Sequence, residues 1–105
     1  MNIAIVSGRL VKNAVLRGTE TKVLAFTVET KSSDGEKERS TFVPCVLFHP
    51  SASMQTMLTQ QGEGVLVELE GRISGPNPDA ERKFSAEVIV RNKSLTILAP
   101  VIERA

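Results

Sequence analysis

The sequence predicts an all-β domain: a small five-stranded barrel with one short helix between its third and fourth strands. Three observations point there. Five segments carry the apolar patterning of strands, and polar stretches rich in Gly, Pro, Asp or Asn separate several of them. A single segment, 51–61, changes to helical spacing. The order is three strands, one helix, two strands, which suits a barrel that closes its own edges. With 105 residues, the length fits one domain, 1–105.

The first strand, within 2–11 (NIAIVSGRLV), is apolar on both parities from Ile3 to Val6. That predicts a strand covered on both faces, with Gly8 as a bulge or bend. The second, 22–30, alternates, with Leu24, Phe26 and Val28 on one side and Ala25, Thr27 and Glu29 on the other. Residues 31–40 (KSSDGEKERS) are polar around Asp-Gly and read as a hairpin loop longer than a tight turn. The third strand spans 41–49. In the helix, Met54, Met57 and Leu58 fall at i, i+3 and i+4, with Ser51 or Ser53 as cap and Gly62 at the end. The fourth strand, 64–73, sets Val65, Val67, Leu69, Gly71 and Ile73 on one side. A loop at 74–82 leads to the fifth strand, 83–91. After a turn at 92–94, residues 95–102 continue or extend that strand as far as Pro100.

Composition excludes more than it assigns. No apolar run approaches the ~18 residues of a membrane span, so no membrane partner is expected. The N-terminus has no secretory pattern, which makes the cytoplasm the expected compartment. One Cys and one His leave no metal site of the zinc type, and no cofactor motif of the GxGxxG or GxxxxGK[ST] kind occurs. Cys45 reads as a small buried hydrophobe and His49 as a solvated or structural residue. No catalytic constellation emerges, so an enzyme is not expected. The net charge of +1 neither announces nor excludes a nucleic-acid binder.

Surface is what remains. The segment FVPCVLFH (42–49) holds two of the four aromatics, Phe42 and Phe48, on one parity. They stand six positions apart, about 20 Å along a strand at ~3.3 Å per residue. Rings beside cations are how single strands of nucleic acid are held. Candidate cations are Arg9 and Lys12, then Lys31, Lys37 and Arg39, then Arg72, Arg82 and Lys83. Two same-side phenylalanines also suit a core, and the residues alone leave both readings open. Between them sits Pro44, which a central strand normally rejects. The other parity, Val43, Cys45 and Leu47, suits packing or subunit contact.

NIAIVSGRLVKNAVLR, VLAFTVET, STFVPCVLFH, the Glu70-Gly71-Arg72-Ile73 strand and Phe84-Ser85-Ala86-Glu87-Val88, in this order, resemble the bacterial single-stranded DNA-binding protein family over nearly the whole chain. The resemblance implies a five-stranded Greek-key OB-fold that forms homo-oligomers, dimers or tetramers. It implies single-stranded DNA wound around the barrel by stacking and salt contacts, in replication, recombination or repair, with a cytoplasmic, nucleoid-associated location. Phe48 falls on a stacking phenylalanine of the family, Phe42 on a stacking tryptophan, and Phe84 on a fifth-strand aromatic. Val43 falls on a subunit-interface position, and Ile3 and Ile5 of the apolar first strand join it as the expected oligomer contact.

The departures imply weaker binding. Asp34 and Pro78 replace tryptophans, while Pro44, Pro50, Gln61, Pro76 and Asn77 replace groove cations. The sequence shows no acidic C-terminal tip, so tail-mediated recruitment of repair partners is not expected. Two other roles fit the same features: a replication-restart accessory protein, and an OB module whose phenylalanines bind a protein.

Overall fold

The computed structural model describes residues 1–75 and 86–99. The elements run β1 (Ala4–Leu10), β2 (Val15–Arg17), β3 (Val23–Asp34), β4 (Lys37–Phe48), α1 (Ala52–Gln61), β5 (Leu66–Ser74), β6 (Glu87–Val90) and β7 (Thr96–Ala99). Strands β1, β3, β4, β6 and β5 are neighbours in that order, and β5 pairs back to β1, so five strands close a barrel. All these pairings are antiparallel except β4 with β6. The helix lies between the third and fourth barrel strands, β4 and β5, as the sequence predicts. This is the architecture of an OB-fold.

Alternation builds the interior. Leu24, Phe26 and Val28 of β3 are buried, as are Cys45 and Leu47 of β4, Val67 and Leu69 of β5, and Val88 and Val90 of β6. Leu58 of α1 plugs the same core. Ser51 caps the helix, its Oγ accepting from Met54 N at 3.2 Å.

Several elements differ from the sequence expectation. Residues 31–40 are not a loop. Strands β3 and β4 stay paired out to Asp34 and Lys37, and only Gly35 and Glu36 form the turn. Gly35 has φ 68 and Glu36 lies outside the positive-φ region, the pattern of a II′ hairpin. Backbone pairing sustains this ribbon without an apolar side, helped by the Lys31–Glu38 ion pair at 3.8 Å. A short strand, β2, lies between Ala14 and Gly18 and pairs with β3. Its three residues are all exposed, so alternation had nothing to mark.

Gly8 is not a bulge. Register runs unbroken from Ala4 opposite Gly71 to Arg9 opposite Leu66. Gly8 is instead a close approach, because a Cβ there would collide with the Glu29 carbonyl where β1 passes from β5 to β3. Ile73 is exposed despite its parity, although Val88 opposite it is buried. Its backbone is held by Asn2, whose Nδ2 donates to Ile73 O and whose Oδ1 accepts from Ile73 N, both at 2.8 Å. Strand β7 follows a turn at Asn92-Lys93 and pairs with β5, as β6 does. Ser94 fixes that break by accepting from Glu70 N at 3.3 Å and donating to Glu70 O at 2.7 Å.

Candidate nucleic-acid interface

The phenylalanines separate into two environments. Phe26 is 6% exposed and belongs to the core, whereas Phe42 is 58% exposed and Phe48 38% exposed. Both exposed rings project from the outer side of β4, opposite to buried Cys45 and Leu47.

Register extends this outer side into a surface. Residues directly opposite one another in a sheet share a face. Phe42 pairs with Glu29, and Glu29 pairs with Arg9. Phe48 pairs with Val23, and Val23 with Arg17. Between these rows Val46 pairs with Ala25, and Ala25 with Val15. Lys31 lies on the same side of β3, two positions beyond Glu29. A groove of about 430 Å³ crosses the middle, lined by Lys12, Val15, Arg17, Thr27, Pro44, Val46 and Glu87 among others. Two rings thus flank an apolar trough, with Arg9, Lys12 and Arg17 along one margin. Base faces fit the rings and the trough, while phosphates fit the cations.

Pro44 is accommodated by the same register. Val11 N donates to Thr27 O at 3.0 Å, so the polar groups of Thr27 point away from β4. Its pair with Pro44 is therefore one of the alternate positions without cross-strand hydrogen bonds. The missing N–H of Pro44 costs the β3–β4 ladder nothing. It faces the other edge, where pairing with β6 begins one residue later, at Cys45 and Val88. Beneath the groove, burial pushes the Cys45 thiol up to about 12, and the charge of Glu87 adds to the rise.

The structure therefore brings Phe42, Phe48, Arg9, Lys12 and Lys31 onto one side of the barrel. Arg72 stands farther round, opposite Ile89, which in turn pairs with Val46. Phe84, Arg82 and Lys83 lie outside the described residues, as do Pro76, Asn77 and Pro78. Arg17 is the cation that sequence reasoning missed. Its place in the row of Phe48, across Val23, follows only from the pairing of β2.

Ile3 and Ile5 form a different surface. They are 56% and 72% exposed, so the double cover predicted for the first strand is not supplied by the described residues. Ile5 pairs with Glu70 on the outside of β5. Val43 does not join them: it is half-buried, faces Val28 and packs against the core.

Residues 1–96 match the family model described as the single-strand binding protein family. The chain belongs to that family. No curated protein matches the chain. In this member of the single-strand binding family, Pro50 does not open into the groove. It is buried at the start of α1, where its carbonyl accepts from Gln55 Nε2 at 3.0 Å. Asp34 belongs to the end of the hairpin ribbon. The expected tryptophan and cation are replaced at these two positions by residues that build the backbone path.

Proposed function

We propose that the protein binds single-stranded DNA with little sequence specificity, through base stacking on Phe42 and Phe48 and phosphate contacts from Arg9, Lys12, Arg17 and Lys31. The observation that carries this reading is the pair of exposed rings on one side of β4, with Arg9 and Arg17 in their own cross-strand rows. A sheet that only needed a core would hold those rings inside, as it holds Phe26. Every base offers a π-face, so stacking tolerates any sequence. Single strands of this kind are exposed in replication, recombination and repair, and the reading places the protein in the cytoplasm with the nucleoid. Phe84, Arg82, Lys83 and Arg72 are proposed to extend the path of the strand around the barrel.

Self-association is part of the proposal. Ile3 and Ile5 make the start of β1 and the residue before it apolar on the outside, and burying each would contribute about 1.5–3 kcal/mol. A second copy is the proposed cover, in a dimer or tetramer.

Fluorescence anisotropy with a labelled thymidine oligomer, titrated over a range of salt, tests the binding. Affinity should fall with salt with a log–log slope of about −0.7 per phosphate contact. No binding at low salt would refute the reading and leave an OB module that binds a protein.

A further inference from the structure

The two walls of the central groove carry opposite charge. Lys12 and Arg17 stand on the side of β1 and β2, and Glu87 stands on the side of β6. Val15, Ala25, Pro44 and Val46 line the space between them. At about 430 Å³ the groove falls within the range of small-ligand sites, about 300–1,000 Å³. A carboxylate repels phosphate, so Glu87 is the wrong group for the backbone of a nucleic acid. It is a strong acceptor for N–H groups. In DNA, N–H donors occur only on the bases. Cytosine, adenine and guanine offer exocyclic amino groups, whereas thymine offers only its imino N3–H, flanked by two carbonyl oxygens that repel a carboxylate.

A strand with its phosphates against Lys12 and Arg17 directs a base across the apolar lining toward Glu87. We propose that Glu87 accepts a hydrogen bond from the exocyclic amino group of a base seated in this groove, and so favours cytosine over thymine. The inference rests on the reading that this side of the barrel binds single strands. It gives a compositional preference, not recognition of a defined sequence. Glu29 serves as an internal control. It is a carboxylate on the same side of the sheet, opposite Phe42, but it lines a separate cleft with Arg9 and Lys31.

The test is a set of anisotropy titrations with cytidine and thymidine DNA oligomers of equal length, at neutral pH and matched salt. The wild-type protein should bind the cytidine oligomer about fivefold more tightly, the low end of what one good base contact supplies. In Glu87→Gln the ratio should shrink, and in Glu87→Ala it should approach one. Glu29→Gln should tighten both oligomers alike and leave the ratio unchanged. A wild-type ratio of one or less overturns the inference. So does Glu87→Ala if it tightens both oligomers equally, since Glu87 would then act only by repulsion. The underlying reading fails separately, and takes this inference with it, if neither oligomer binds or if Phe42→Ala/Phe48→Ala binds as the wild type does.

Discussion

Two outer surfaces of the barrel are built on the same alternation, yet they differ in chemistry. The surface over β2, β3, β4 and the C-terminal end of β1 presents Phe42 and Phe48 with Arg9, Lys12 and Arg17. The surface over β1, β5 and β7 presents Ile3, Ile5 and Leu98 beside Glu68 and Glu70. Both are apolar, so hydrophobicity alone does not tell them apart. Rings with cations suit a polyanion that carries flat bases. Branched aliphatics suit another protein surface, and of the carboxylates beside them Glu70 is paired with Arg91 at 3.4 Å. On the proposed reading DNA takes the first surface and a second copy the other, and the two would meet at Arg72, which lines a cleft with Ile3.

Removing both rings is the most damaging test of this contrast. Phe42→Ala/Phe48→Ala should weaken single-strand binding by about 2–6 kcal/mol, at least roughly thirtyfold, because each stacked base contributes ~1–3 kcal/mol. Melting temperature should fall much less than for a core ring, and mainly through Phe48, which is 38% exposed against 58% for Phe42. The matching change inside the barrel should do the reverse. Phe26→Ala should cost about 3–5 kcal/mol of stability by leaving a cavity, seen in a denaturant titration, while the remaining folded protein keeps its affinity. If Phe26→Ala and the double variant behaved alike, the division between inside and outside would fail.

The other side is probed by Ile5→Ser. It should weaken self-association by about 1.5–3 kcal/mol, measured by sedimentation or light scattering across concentration. Binding to an oligomer short enough to occupy one subunit should be unchanged. An unaltered association constant would remove β1 from the interface. The smallest effect is expected for Arg17→Ala. It should reduce the salt slope by about 0.7 if one phosphate contact is lost. An unchanged slope would take Arg17 out of the strand's path.

Much of the barrel was legible because burial leaves a period of two. Leu24, Phe26 and Val28 identified the inner side of β3, and Met54, Met57 and Leu58 identified the helix. Elements held by backbone bonds alone left no such trace. The ribbon from Lys31 to Ser40 reads as a polar loop because neither of its sides is buried, although every residue is paired or in the turn. Strand β2 is hidden for the same reason, and with it the position of Arg17. Parity put Ile73 on the inner side of β5, opposite buried Val88, but did not show that its own side chain is left exposed. For the site, parity put Phe42 and Phe48 together, but it could not say which side of β4 faced water. Cys45 and Leu47 at 1% and 5% exposure decide that.

Pro44 carries a consequence for assembly. From Lys37 to Val43 the edge of β4 away from β3 has no partner strand among the described residues, and β6 joins only at Cys45. Any length of such an edge that is left unpaired is a template on which foreign strands nucleate. An incoming strand that extended the short β6 ladder would meet, at its first step, a position with no donor. The proline thus works as a stop signal for sheet growth. A ladder that reached this point would have to continue across a missing hydrogen bond, a local brake on extension written into the strand itself.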